Sequence, residues 1–298
     1  MIPFILIGGI SCALINLPFA DYSLSIGSFK LMWLHDTLET VYNGTFGLFS
    51  LLLAFLLAVC YGMERNKSVD AVALYIIVAL GAYGVQLHIG TNNFNIDDLG
   101  VKGSFSAMFI VLFACYFFEK FKKIAALSMR KFSVGMESLC ANAIQTILPM
   151  TLVLGMVLIF THTLQFLFGV YNLHDLFSTL SCKLFEDMNS NFITGLLYTF
   201  VLHLLWILGF HGSHLLEPVA QTVFLPVSST TIFSKSFFDT YVVMGGCGTT
   251  ICVLILLLVF FKKDRMSNLA KIGFFPVIFN LNEILIYVDF SCSLSASL

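Results

Sequence analysis

The sequence predicts an all-α polytopic membrane protein with about seven to eight spanning or re-entrant helices. Three observations carry this. Hydrophobic residues make up 58% of the 298 positions. Charged residues make up 11%, where a soluble domain carries about 25%. Mean hydropathy is +0.93, and apolar runs of near-spanning length recur between basic clusters that alternate along the chain.

Apolar runs Ile2–Leu17, Gly44–Tyr61, Val69–Leu87, Gly103–Phe118, Thr146–Phe168 and Tyr241–Phe261 are candidate spans. The first is short, and no basic region or small-residue cleavage site marks it as a signal peptide. Asn172–Met188 repeats leucine at helical spacing (Leu173, Leu176, Leu180, Leu184) with His174, Asp175, Lys183 and Glu186 between or beside them. That pattern predicts an amphipathic interfacial helix. Asn191–Phe210 is a further full apolar segment. Leu215–Ser229, broken by Pro218 and Pro226, fits a re-entrant hairpin, which is tolerated at membrane depth only where protein or water covers it.

Basic residues orient these segments. Arg65 and Lys67, then Lys120 to Lys131, then Lys262 to Lys271 mark three cytoplasmic ends, and the acidic loop Thr91–Gly100 belongs outside. The net charge of −2 speaks against a nucleic-acid partner or an acidic substrate. The eight cysteines form no CxxC pair and mostly sit in apolar runs, so they read as small packing residues. No HExxH or other metal spacing, P-loop or supported Ser-His-Asp order is present, so no metal, no cofactor and no catalytic residue is assigned.

Two polar breaks inside apolar segments are the candidate binding residues. The first is Gly209-Phe210-His211-Gly212-Ser213-His214. Glycines on either side of His211 permit a tight turn and a close backbone approach to a ligand. His211 either contacts a ligand hydroxyl or caps a helix end at the interface, and His214, close to one turn on, could share the role. The second is Lys271–Glu283, interrupted by Pro276 and closed by Asn280, Asn282 and Glu283. Burying such groups costs several kcal/mol unless something pairs with them. They either form a capping network or bind an uncharged polar solute, as broken helices do in transporters. A third stretch, Met244–Thr250 with Gly246 inside it, serves close helix packing or lines a ligand path.

These motifs, in this order, resemble the membrane-embedded sugar permease, enzyme IIC, of the bacterial phosphotransferase system, in its lactose/cellobiose/diacetylchitobiose branch. Leu205–Gly212 resembles that family's tryptophan-then-GIHG signature. Met244–Thr250 resembles its GGSGAT stretch, Phe275–Glu283 its PGIFNINEP signature and Leu99–Phe105 its LGAKGLF element. The resemblance implies an enzyme IIC fold with re-entrant hairpins, working as a homodimer in the bacterial inner membrane. It implies an N-terminal dimer-interface half, 1–168, and a sugar-binding half, 169–298. It implies a β-linked disaccharide that is phosphorylated during uptake by a cysteine-phosphate on a separate enzyme IIB, served by enzyme IIA. Whether the chain itself counts as an enzyme stays open. Carried over, His211 and Glu283 are the sugar-contacting pair, with Gly212, Gly246, Asn280 and Asn282 around them.

Departures from the family pattern set further expectations. Ile284 stands in place of Pro, Tyr287-Val288 in place of Phe-Gly, and Val277 in place of Gly. The family continues past Leu298 with further spans. Encoded as GTT GAT TTT TCC TGT and read one nucleotide later, Val288–Cys292 becomes Leu-Ile-Phe-Pro-Val, which is family-like. The chain is therefore expected to be incomplete at its C-terminus, with an out-of-frame tail from Val288 to Leu298. The alternative functions to the permease are a non-transporting sugar sensor and an inactive fragment.

Overall fold

The computed structural model describes residues 2–15, 25–26, 29–30, 32–65, 68–129, 138–186, 188–207, 212–224, 232–243 and 250–260, with scattered positions between 268 and 277. It is helical apart from a two-residue antiparallel pairing, β1 (Ser25–Ile26) with β2 (Phe29–Lys30). The helices are α1 (Ile2–Ile15), α2 (Met32–Thr45), α3 (Phe49–Arg65), α4 (Val69–Gln86), α5 (Ser104–Met129), α6 (Ser138–Phe168), α7 (Leu173–Phe185) and α8 (Phe192–Ile207). Short pieces α9 (Gly212–Leu215), α10 (Glu217–Val219) and α11 (Lys235–Phe237) precede α12 (Thr250–Phe260). Among the described residues four helical stretches are long and apolar enough to cross a membrane: Trp33–Arg65, Val69–Gln86, Val101–Ile124 and Thr146–Phe185. Pro3–Cys12 and Phe192–Trp206 are shorter apolar helices.

The differences from the expected spans have physical reasons. Helix α2 lies ahead of the run that begins at Gly44 because His35, Asp36 and Glu39 dilute its hydropathy while leaving helix propensity intact. Helix α5 runs past Phe118 into the basic stretch, since lysine is as good a helix former as leucine. Helix α6 starts at Ser138 and passes Pro149, whose ring removes the bond to the Gln145 carbonyl. Its 31 residues span about 46 Å, more than the hydrocarbon core requires. Of the expected span from Tyr241, the described residues form the end of a π-helical turn, Tyr241 and Val242, and the helix Thr250–Phe260.

The chain packs as two compact units, residues 48–180 and residues 1–47 with 181–298. These units reflect packing, whereas the expected halves, 1–168 and 169–298, concern roles.

In the unit 48–180, α3 offers a stripe of small buried residues one turn apart, Ser50, Ala54, Ala58 and Gly62. Small residues let helix backbones approach where no hydrophobic effect drives them together. At Gly62 a Cβ would sit 3.2 Å from the Val72 Cα and from the Tyr75 ring. Helix α4 answers with Tyr75, Val78, Ala79, Ala82 and Tyr83, and α5 with Ala107, Val111, Ala114 and Phe118. Tyr75 and Phe118 meet edge to face, centroids 5.5 Å apart. At one end Glu119 gathers Arg65 (3.6 Å), Lys123 (3.2 Å) and the Tyr61 hydroxyl (3.2 Å), so two of the expected cytoplasmic clusters share an end.

A polar knot occupies the Asp98 end. Ser50 Oγ lies 2.7 Å from the Leu99 carbonyl and 2.6 Å from the Tyr83 hydroxyl. Tyr83 donates to the Asp98 carbonyl at 2.9 Å. The buried Asp98 carboxylate accepts from Asn172 Nδ2 at 3.0 Å and pairs with Lys102 at 3.1 Å. Asn172 in turn caps α7, accepting from the Asp175 N–H at 2.8 Å. Gly103 closes the knot, since a Cβ there would run into the Asp98 carbonyl and lie 2.7 Å from the Tyr83 hydroxyl.

In the other unit, α1 packs on α2 through Gly8, where a Cβ would lie 2.5 Å from Thr45 Oγ1 and 2.6 Å from the Phe46 ring.

Replacing Gly103 by Ala should cost at least about 3 kcal/mol, because the obstacle is backbone. Tyr83→Phe should cost about 1–3 kcal/mol, the penalty of an orphaned buried acceptor. Thermal unfolding of the detergent-solubilised chain measures both, and Gly103→Ala should be the more damaging.

Candidate functional site

The site is built on α8. Its residues Gly195, Tyr198, Leu202 and Trp206 recur at helical spacing. Tyr198 and Leu202 are buried. The segment Gly212–Phe224 docks on this face. At Gly212 a Cβ would lie 2.6 Å from the Leu202 carbonyl oxygen and 3.0 Å from the Trp206 ring. Glycine is therefore required at 212 so that this segment can lie directly on the α8 backbone. From there bonds Leu216 N–H to Gly212 O and Ala220 N–H to Leu216 O, both 2.9 Å, carry one helical run into a π-helical turn at Ala220–Phe224.

A second piece, 232–243, begins with Ser234 capping α11 through a bond to the Phe237 N–H and ends in another π-helical turn, Phe238–Val242. π-Turns are rare and concentrate at functional sites. The two turns meet through their rings: Phe224 and Phe238 lie 4.7 Å apart, with Tyr198 4.9 Å from Phe238 and 5.2 Å from Phe224.

Beside the rings lies a charged cluster. The Lys235 ammonium bonds Glu217 Oε1, and Gln221 Nε2 donates to the same oxygen at 3.0 Å. Burial would push the Glu217 carboxyl up, but Lys235 and Gln221 together hold it below the usual carboxylate range. Burial keeps the His214 imidazole below its ordinary value, against the pull of Glu217. Burial raises Asp239, with Lys235 opposing and Glu217 adding.

Of the predicted site residues the structure places Gly212, as the glycine seated on α8. His211, Gly246, Asn280, Asn282 and Glu283 lie outside the described residues. His214 is on α9, two residues after Gly212. His203 is turned back onto its own helix, its Nδ1 2.7 Å from the Thr199 carbonyl. Motif reasoning missed the Glu217–Lys235 pair. Its signal was present: Lys235 is the one Lys or Arg between Lys183 and Lys262. A cavity of about 830 Å³ also opens along α8, walled by Phe192, Leu196, Phe200, Phe233 and Phe237. Its almost wholly apolar wall suits hydrocarbon and leaves a polyol's hydroxyls without partners. The described cysteines, Cys12, Cys60, Cys115, Cys182 and Cys252, are free thiols.

A family profile for the phosphotransferase system EIIC matches residues 1–288. The chain belongs to the EIIC family. This EIIC chain is 26% identical over 307 residues to the oligo-beta-mannoside-specific EIIC component of Bacillus subtilis (strain 168), covering 96% of itself and 68% of that relative. It is 23% identical over 317 residues to the lichenan permease IIC component of the same organism, covering 96% and 68%. It is 21% identical over 132 residues to the cellobiose-specific EIIC component of Lactococcus lactis subsp. lactis (strain IL1403), covering 33% and 27%. Among solved structures it is similar to the transporter ChbC, the IIC component from the N,N'-diacetylchitobiose-specific phosphotransferase system. That match has TM-score 0.46 and 20% identity, and covers 95% of this chain and 70% of the other. As an EIIC chain it is an integral membrane permease component that handles a sugar and works with the EIIB and EIIA partners of its system.

Two consequences can be measured. Gly212→Ala should cost about 2 kcal/mol or more, since the new methyl meets the Leu202 carbonyl. It should also change Trp206 fluorescence. For pH, burial lowers the folded value of His214. Its stabilising contribution is full above the ordinary value of about 6.5 and fades as pH falls through the folded one. Melting temperature measured from about pH 7 to 5 should fall, and the fall should be shallower in His214→Gln.

Proposed function

We propose that this EIIC chain binds and translocates a β-linked disaccharide across the bacterial inner membrane. Support comes from curated relatives named for an oligo-beta-mannoside and for lichenan that align with 96% of the chain. In this reading His211 and Glu283 contact the sugar, with Gly212, Gly246, Asn280 and Asn282 completing the site. Carboxylates and carboxamides suit that task because each accepts or donates two hydrogen bonds to vicinal hydroxyls. Glu283 positions the hydroxyl that receives the phosphoryl group. The P–S bond to the enzyme IIB cysteine breaks, a P–O bond to the sugar forms, and the hydroxyl proton leaves. Residues 1–168 form the interface of a homodimer within the lipid bilayer, and 169–298 carry the sugar.

The placement of Gly212 supports this reading: the glycine next to His211 in sequence is seated on the α8 backbone. A binding group beside a fixed backbone position loses less entropy on binding.

His211→Ala and Glu283→Ala should each weaken cellobiose binding about 5- to 150-fold, or about 1–3 kcal/mol. Calorimetric titration of the chain in lipid nanodiscs, with maltose as the α-linked control, provides the test. Unchanged affinity in both variants removes these residues from the site, and equal binding of maltose removes the β-linkage preference.

A further inference from the structure

We infer that α5 carries a binding face for one anionic phospholipid, with an acyl chain laid along Phe109, Leu112 and Tyr116 and the phosphate held between Lys120 and Lys123. The inference needs only that the chain lies in a bilayer, which its place in the EIIC family supplies. It stands whatever the sugar contacts prove to be.

The face follows from helical spacing. Positions 109, 112, 116, 120 and 123 succeed one another by three or four residues, so their side chains share one side of α5. The three apolar ones are open to the surroundings: Phe109 is 47% exposed, Leu112 43% and Tyr116 45%. Lys120 and Lys123 are exposed beyond them. From Phe109 to Lys120 the helix rises about 16 Å. That is close to the depth of one leaflet, half of a hydrocarbon core about 30 Å thick. An apolar stripe of one leaflet's length that ends on two cations has the order of a phospholipid, chain first and then phosphate.

Lys120 sets the depth and calls for an anion. Ile124, one turn beyond it, is 67% exposed and still belongs to the apolar stretch Val101–Ile124. Lys120 is thus flanked along the helix by Tyr116 and Ile124 instead of standing clear in water. A cation at that level is costly without a counter-ion. Its ammonium lies over the Tyr116 ring, 4.6 Å from the centroid, which compensates in part. Among the described residues no carboxylate pairs with it, because Glu119 is taken by Arg65 and Lys123. Lys123 gives one contact to Glu119 at 3.2 Å, but its side chain is 76% exposed and an ammonium has three donors. Phosphate is the anion that a bilayer offers at this depth, and a surplus of positive charge favours lipids of net negative charge.

A second copy of the chain fits this face less well. In a two-fold membrane dimer equal residues meet at equal depth. Contact through this stripe would set Lys120 and Lys123 against their own counterparts, like charges with no carboxylate brought to them. A lipid phosphate brings the missing charge, and its chain matches the exposed rings and leucine.

The test is native mass spectrometry of the full chain released from nanodiscs that hold phosphatidylglycerol and phosphatidylcholine in equal parts, with melting temperature in lipid-free detergent as the control for folding. Phosphatidylglycerol should stay bound in preference to phosphatidylcholine, at one molecule per chain. Lys120→Gln should weaken its retention about 5-fold, the worth of one lysine at a charged surface, with melting shifted by no more than a few degrees. Lys120→Arg should keep the lipid. Lys183→Gln, which removes a charge from α7 instead, should keep it too. Equal retention of the two lipids overturns the inference, as does undiminished retention in Lys120→Gln. An equal loss in Lys183→Gln reduces the effect to net charge and overturns it as well. If Leu112→Ala splits a dimer into monomers, the face is a subunit interface and the inference is wrong.

Discussion

The carbonyl oxygen of Asp98 is the point on which the unit 48–180 is hung. A hydroxyl from α4 reaches it directly, the α3 hydroxyl of Ser50 bonds both that hydroxyl and the next carbonyl, and the same residue's carboxylate ties in Asn172 and Lys102. Three helices and the entry to α7 are fixed by one irregular turn. The turn itself can exist only because these polar groups are matched to one another, since an unmatched one away from water costs about 1–3 kcal/mol. Gly103 is the geometric condition for the match. Any Cβ there would push the Asp98 carbonyl off its donors. The small-residue stripe of α3 then carries the same logic along the helix, trading side-chain volume for backbone contact.

The hairpin unit divides its labour differently. Rings supply cohesion, because Tyr198, Phe224 and Phe238 are large, buried and tilted against one another. The π-turns carry two of these rings. Phe224 closes the first of these turns and Phe238 opens the second, and their rings meet. An ion pair between Glu217 and Lys235 adds a polar link between the two pieces.

Legibility in the sequence tracked this division. Apolar runs exposed the spans because a helix in lipid must be apolar all round over a known length, so α4, α6 and α8 could be read to within a few residues except at the α6 start. The α2 helix escaped because His35, Asp36 and Glu39 lower its hydropathy and an apolar-run criterion is blind to amphipathic pieces. The interfacial α7 was read because its leucines keep a helical period. The π-turns left no trace, since an extra residue in a turn is a property of backbone geometry with no composition of its own. For the site, Gly212 was legible as a turn residue, but its reason, contact with the Leu202 carbonyl, is a tertiary fact. The Lys235–Glu217 pair was missed because its members are 18 residues apart across a proline-broken segment, where no helical spacing rule applies.

Gly103 and Gly212 both belong to stretches that resemble family signatures, and both turn out to be places where one backbone lies on another. A glycine of this kind is retained by packing whether or not a sugar is ever bound. Matching such positions therefore reports shared architecture. The chemistry has to be argued from polar residues that interrupt apolar runs, such as His211 and Glu283, because such groups are costly to bury without a partner. The Glu217–Lys235 pair belongs to neither class: it links two pieces of the hairpin unit and is assigned no contact to a ligand.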